Sequence, residues 1–462
     1  MSTTTNESAP TGDELTTALD ELAGRVAGPV HRPGDAGYAA AAPWNRAVEI
    51  APAAVVGVRG PDDVVAAVRW AAAHGLRVTV QCSGHAALPW TGDTLLLDTS
   101  ALNAVVVDSG ARTATFGPGC LWNDVIAAAS PHGLAPVSGS APVVGAVGFL
   151  TGGGIGPLSR TLGLGSDHVR SFDVVTGDAQ LRHVSADENP DLFWALRGGK
   201  ATAGLVVSAT VELVELTEVY GGGVYFAGDD AAMVLAAWRD WTGGLPDEAT
   251  TSVALLQLPP LPAVPPPLAG RLTVAVRYGW VGDANDGATH ARQLLDRLPA
   301  PVLGEFGPLP ADQLGAIHAD PADPLPSTVE GFLLREVDAD ALDAFVGAVG
   351  PELTIVELRH LGGRIARTDR PSAYDGREAQ WNFAVIAALA GDPEPVHAAV
   401  ARALAAMEPW SYGLAMPNFL VTDDPADLAR MYRPETRERL AAIGDEYDPD
   451  HVLDVGQVVR RR

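Results

Sequence analysis

Short apolar runs and amphipathic stretches alternate along most of the chain, and their order gives the first reading of the fold. Leu15, Leu19 and Leu22 repeat at helical spacing and predict a helix over Asp13–Val26. From Val48 the pattern becomes strand, helix, strand. Ala54–Val58 is an apolar run of strand length. Pro61-Asp62-Asp63 opens a helix with proline and acids in its first turn; Val64, Val65, Val68 and Ala71 form its apolar stripe, and Gly75 ends it. Arg77–Val80 follows as a second strand. This βαβ unit delivers the chain to the loop Gln81–Ala86 at the carboxyl end of a parallel strand, where α/β folds bind ligands. Further strands are predicted over Leu95–Asp98, Ala104–Asp108, Thr113–Phe116, Val169–Val175 and Val206–Val214, and a helix over Leu121–Ser130.

The texture changes near Val219. Strands Gly223–Phe226, Thr251–Gln257, Leu272–Tyr278, Thr354–His360 and Asn382–Ala388 alternate with helices over Ala231–Thr242, His290–Leu298, Ala339–Val349 and Pro395–Ala406. The run Pro259–Pro267 can be neither an internal strand nor a helix and is predicted as an exposed hairpin loop. No internal repeat is present. At 462 residues the chain is long for one core, which predicts two domains. Residues 1–12 are polar and expected to be disordered.

Charge and cysteine usage remove several function classes. A net charge of -26 and a pI near 4.6 leave no basic face for nucleic acid or an anionic membrane. The amino terminus carries acids and no signal-length apolar run, and no segment holds eighteen uninterrupted apolar residues, so a soluble cytoplasmic protein is expected, monomer or homodimer. Cys82 and Cys120 are too few for a disulfide framework or a four-ligand zinc site and read as buried free thiols; no metal is predicted. Lys200 is the only lysine, a bias attributed to coding composition.

The stretch Val137–Arg160 has no packing rationale of its own. Its seven glycines leave little side chain to bury, and glycine at this density serves a backbone that lies against an extended ligand such as a diphosphate. It lacks the GxGxxG spacing of a Rossmann fingerprint. Read with Gln81-Cys82-Ser83-Gly84-His85-Ala86, the pattern GGGIGxLSRxxGLxxD from Gly152 to Asp167, Arg197-Gly198-Gly199 through Gly204-Leu205-Val206, and Tyr447-Asp448-Pro449-Asp450-His451-Val452, it resembles the FAD-linked oxidases of the berberine bridge enzyme type, within the vanillyl-alcohol-oxidase-like flavoproteins. The resemblance covers Asn45–Leu216 well, the middle of the chain weakly and the last fifty residues moderately.

The resemblance implies an α+β protein: a PCMH-type FAD-binding domain of two α/β subdomains over 13–218, a substrate domain with an antiparallel sheet backed by helices over 219–415, and a return to the FAD-binding domain over 416–462. It implies FAD held by Gln81, Cys82, Ser83, Gly84, His85 and Ala86, by Gly139, Ser140, Val144, Gly145 and Gly148 with Gly152, Gly153 and Gly154, by Gly204 and Val206, and by Gln457. His85 matches the histidine that relatives join to the flavin 8α methyl. The second attachment point of many relatives, a cysteine, aligns with Ala141, which has no nucleophile.

Three further departures bear on chemistry. The flavin-loop arginine of relatives is Gln81, and the asparagine that touches the flavin ring is Gly456. Relatives also carry Tyr-x-Asn-Tyr/Phe where this chain reads Met416-Pro417-Asn418-Phe419; a thioether cannot take the substrate's proton, so the usual base is missing. Glu357 and Tyr374 are the replacement candidates, with Arg359, Asn382, Tyr412, Met416 and Asn418 as cavity candidates. The implied activity is an oxidase of a small-molecule secondary metabolite, with hydride passed to flavin N5 and dioxygen as acceptor. The alternative is a non-redox FAD-binding cyclase or a metabolite-sequestering protein.

Overall fold

The computed structural model describes residues 12–453 and 456–461. The amino terminus expected to be disordered, save Gly12, and Asp454 and Val455 of the carboxyl-terminal motif lie outside the described residues.

Three main sheets follow one another. The first has the order Val30–His31, Ala54–Gly57, Thr94–Asp98, Arg77–Gln81, with the last three strands parallel. The helix Pro61–Ala73 covers it, burying Val64, Ala67, Val68, Trp70 and Ala71. Asp63 does more than favour the helix start. Its buried carboxylate accepts from Ala27, Gly28 and Arg59 backbone N–H groups at 2.6, 3.1 and 2.8 Å, tying the preceding segment to the sheet.

The second sheet is antiparallel: Val105–Asp108, Thr113–Phe116, Leu205–Glu212, Val169–Val175, Leu181–Ser185. The single strand predicted over Val206–Val214 is divided, because Val214–Glu215 leaves this sheet to pair with Leu134–Ala135.

The third sheet is antiparallel and seven-stranded, ordered Gly307–Pro310, Glu218–Ala227, Leu272–Trp280, Ala249–Gln257, Ile355–His360, Trp381–Ala388, Ser327–Leu334. Pro259–Pro267 lies in the hairpin between Ala249–Gln257 and Leu272–Trp280. The strand predicted over Gly223–Phe226 starts earlier, at Glu218, through three consecutive glycines that a sequence reader takes as a breaker. A Cβ at Gly221 would lie 2.2 Å from Tyr278 O, so the close strand approach explains that glycine. The helix predicted over His290–Leu298 runs Ala284–Leu295, started by Asp283, whose side chain accepts from Asn285 N–H at 2.8 Å.

The two faces of this sheet differ sharply in chemistry. One is core: Val253, Val276, Leu358, Phe383 and Phe332 pack under Trp238, Leu342, Phe345 and Met407 of the covering helices. The other carries the cross-strand row Arg277, Ser252, Arg359, Asn382, followed by the row Ala275, Ala254, Glu357, Ala384, Gly331. Charged side chains among alanines and glycine cannot seal against a helix, so this face is shaped for something other than a core.

Among the described residues no helix is long and apolar enough to cross a membrane. None of the described His, Cys, Asp and Glu residues group as a metal site.

Candidate functional site

The loop after Arg77–Gln81 is pinned from behind: Trp44 N–H donates to Ser83 O at 2.8 Å and Asn45 N–H to Gly84 O at 3.3 Å. Gly84 has φ +74°, and a Cβ there would meet Pro43 Cα at 2.6 Å, so this turn closes only around glycine. His85 stacks on Trp44 with ring centroids 4.1 Å apart, its Nδ1 2.8 Å from Ser83 Oγ. Burial pushes its pKa down to about 4, leaving a neutral imidazole at pH 7 with a nucleophilic nitrogen. Gln81 turns inward, its Nε2 donating to Ala41 O at 2.7 Å, and Ala86 is exposed. The Cys82 thiol is pushed up to about 12 by burial and by Cys120, Asp98 and Asp124, and Cys120 to about 11 by burial and Asp124; neither forms thiolate readily.

The glycine stretch crosses this loop. A Cβ at Gly145 would lie 3.2 Å from Cys82 Sγ, and Val144 O accepts from Trp122 N–H at 3.1 Å, fixing the turn into the short helix Ala146–Thr151. Gly139 and Ser140 are buried, yet their peptide N–H groups have no protein acceptor among the described residues. Ser140 Oγ donates to Asp320 at 2.6 Å, while Gly148 is exposed.

Beyond the short helix, two glycines are packed by side chains from distant segments and a third by Phe149 of the helix itself. Lys200 Nζ donates to Asn418 Oδ1, Asn418 Nδ2 donates to Phe149 O at 2.9 Å, and a Cβ at Gly152 would come within 2.6 Å of Nζ. Lys200 is 9% exposed, and burial lowers its pKa to about 7. At Gly153 a Cβ would meet Tyr374 Cδ2 at 3.2 Å and Met416 Cε at 3.8 Å; Gly154 lies against Phe149. Gly198 and Lys200 N–H groups share Thr151 O, at 2.9 and 3.0 Å, which holds the Arg197–Gly204 turn against the helix end. The Tyr374 hydroxyl is buried without a partner among the described residues, and burial raises its pKa.

The polar sheet face closes the other side. Glu357 accepts from Arg277 Nη1 at 2.5 Å, Arg359 Nε at 2.7 Å and Ser252 Oγ at 3.3 Å, and the two guanidiniums hold its pKa below the usual carboxylate value despite complete burial. A cleft runs between this cluster and Ile155, Gly156 and Pro157 of the glycine stretch. His318 and Asn382 are 7% and 0% exposed, and both nitrogens of the one and both amide atoms of the other lack partners among the described residues.

The carboxyl-terminal motif works as a clasp. Asp448, fully buried, accepts from Val452 and Leu453 N–H groups at 2.8 and 2.9 Å and from Arg460 Nη2 at 2.7 Å. Val452 O in turn accepts from Val78 N–H at 2.7 Å. Gln457 Nε2 donates to Leu420 O at 2.5 Å, fastening the tail to the Met416–Phe419 segment.

Residues 52–185 match the family model of the FAD binding domain. The chain is 28% identical over 458 residues to (R)-6-hydroxynicotine oxidase of Paenarthrobacter nicotinovorans, covering 92% of this chain and 95% of that one. The chain is an FAD-linked oxidoreductase by its similarity to these proteins, and it shares the fold of the berberine-bridge-enzyme-like proteins. The solved 6-hydroxy-D-nicotine oxidase of Arthrobacter nicotinovorans superposes with a TM-score of 0.80 at 25% identity, over 93% of this chain and 96% of that one. The glucooligosaccharide oxidase of Acremonium strictum gives 0.81 at 21%, over 96% and 99%. Fungal FAD-linked oxidoreductases that also match align over only 22–43% of their own length.

The site of this oxidoreductase fits FAD on its own terms. N–H groups at Gly139 and Ser140 with no acceptor among the described residues, glycines on adjoining turns and a neutral histidine at a strand end are the features a dinucleotide diphosphate and flavin require. A Cβ at Gly204 would strike Val174, and Val206 pairs with Val174 in the second sheet. Tyr412 is at the rim, donating to Glu378 at 2.8 Å and accepting from Arg433 at 2.7 Å. Lys200, Arg277, His318 and Trp44 were not among the predicted site residues. Two had signals: Lys200 as the only lysine, and Arg277 as the one charge in an otherwise apolar strand run.

Proposed function

We propose that this FAD-linked oxidoreductase oxidises a small-molecule secondary metabolite, with residues 13–218 and 416–462 holding FAD and 219–415 shaping the substrate cavity. When bound there, FAD would supply the hydride acceptor and the route by which electrons reach dioxygen. The observation that carries the reading is the packing of Lys200, Asn418, Tyr374 and Met416 onto Gly152 and Gly153, next in the chain to Ile155–Pro157, which faces a polar sheet face across a cleft. The named relatives are oxidases, which favours redox turnover over a cyclase.

Met416 cannot accept the substrate's proton, and neither replacement candidate suits the task. Glu357 is locked by two guanidiniums, which lowers its basicity, and the buried Tyr374 hydroxyl resists ionisation. Lys200 Nζ is the better acceptor. With a pKa of about 7 it is partly neutral at physiological pH, and it abuts Gly152 while Met416 abuts the next glycine. His85 is the proposed covalent anchor, as histidine is in the glucooligosaccharide oxidase described as carrying 8α-N1-histidyl FAD. The second, cysteinyl link named there has no counterpart at Ala141.

Anaerobic mixing of purified protein with a panel of amine and alcohol metabolites tests the reading. Bleaching of the flavin band by one class, followed by peroxide on admitting air, is expected. Protein that stays yellow with every compound while converting one of them would replace oxidation with a non-redox role.

A further inference from the structure

Resting on the reading of the polar sheet face as the substrate wall, we propose that Arg277, Arg359 and His318 form an anion subsite that holds a carboxylate on the substrate. The charge count is the first observation: two guanidiniums face one carboxylate, so the cluster carries one uncompensated positive charge although Arg277, Arg359 and Glu357 are 3%, 8% and 1% exposed. A buried net charge is costly unless something pairs with it.

Unused donors are the second. Arg277 Nε is buried without a partner among the described residues, and the Arg359 Nη atoms donate to none of them, since its one hydrogen bond is from Nε to Glu357. His318 Nε2 lies 3.7 Å from Glu357 Oε1, beyond hydrogen-bond range, leaving its ring free to donate into the same cleft. Arg277, Arg359 and His318 all line that cleft.

The third is placement. Arg277, Ser252 and Arg359 stand in one register row over three adjacent strands, and Glu357 sits one row along among Ala254, Ala275 and Ala384. Glu357 therefore orients both guanidiniums from the neighbouring row of the same face and leaves their remaining N–H groups to the cavity. A planar carboxylate accepting from two guanidiniums matches that fork geometry.

Binding of benzoate and of its neutral isostere benzamide to the purified holoenzyme, read by calorimetry, tests this; flavin content is measured separately on the same sample. A protein without flavin would undo the oxidoreductase function and leave the anion measurement intact. Benzoate is expected to bind at least tenfold more tightly than benzamide. Arg359→Gln should raise the benzoate Kd about tenfold and leave benzamide within twofold, and Arg359→Lys should retain part of the preference. Equal binding of the two probes by the wild type, or a benzoate Kd unchanged in a folded Arg359→Gln, would overturn the subsite and leave the cluster a structural ion pair. The wild-type comparison decides the matter even if a variant fails to fold.

Discussion

Lys200 offers the sharpest quantitative test of the site's interior. Its ammonium is enclosed by the glycine stretch with one neutral partner, Asn418 Oδ1, and burial lowers its pKa from 10.5 to about 7. At 1.36 kcal/mol per pKa unit, that depression costs the folded state about 5 kcal/mol wherever the amine is charged in both states. The folded pKa is the lower one, so between pH 7 and 10.5 the unfolded chain binds the extra proton and stability rises with pH. Below about pH 7 the full cost is present, and by pH 9 about 3 kcal/mol of it has been recovered. Lys200→Met removes the titration and leaves Asn418 Oδ1 unpaired, a penalty of about 1–3 kcal/mol that does not change with pH. Denaturant unfolding of both proteins at pH 6, 7.5 and 9 separates the two effects. The wild type should gain about 3 kcal/mol on the variant from pH 6 to pH 9, since all other titrating groups cancel in the difference. A stability difference constant over that range would refute the buried low-pKa amine, and with it the proton-acceptor role proposed for Lys200.

Further outcomes follow from the same geometry. After acid precipitation, flavin should stay with the wild-type pellet and move to the supernatant for His85→Ala, which keeps the noncovalent cradle; flavin peptide mapped to Cys82 or Cys120 would contradict the pKa values of both thiols. Asp448→Ala strands Arg460 and two backbone N–H groups in a buried clasp and should cost about 3–5 kcal/mol in denaturant unfolding, with a loss under 1 kcal/mol counting against it. Gly198→Ala places a Cβ 2.6 Å from Tyr374 N at φ +114° and should lower stability by about 2 kcal/mol or more together with flavin retention; unaltered flavin binding would show that this turn does not shape the cradle.

Much of the fold was legible because hydrophobic period and punctuation agreed locally. Pro61, Asp63 and the valine stripe marked a helix that the structure keeps, and Thr113–Phe116, Val169–Val175 and Ala231–Thr242 have their predicted bounds. What escaped was set by distant partners. The strand Ser327–Leu334 has little alternation of its own and is defined by pairing with Trp381–Ala388; the strand start at Glu218 was hidden behind glycines that Tyr278 requires.

The site divides along the same line. Motifs made of backbone, such as the glycine stretch and the His85 loop, announce themselves because glycine and strand-end position are local properties. The polar row does not. Arg277 and Arg359 are 82 residues apart by their numbers, and only cross-strand register puts both beside Ser252. Glu357 and Arg359, two apart on one strand, could be read from sequence as an ion pair. That the carboxylate is shared with Arg277, leaving positive charge unspent in a cleft facing the glycine stretch, depends on sheet order. Cofactor class is therefore written in contiguous motifs, and substrate chemistry in the register of a sheet whose strands lie far apart in sequence.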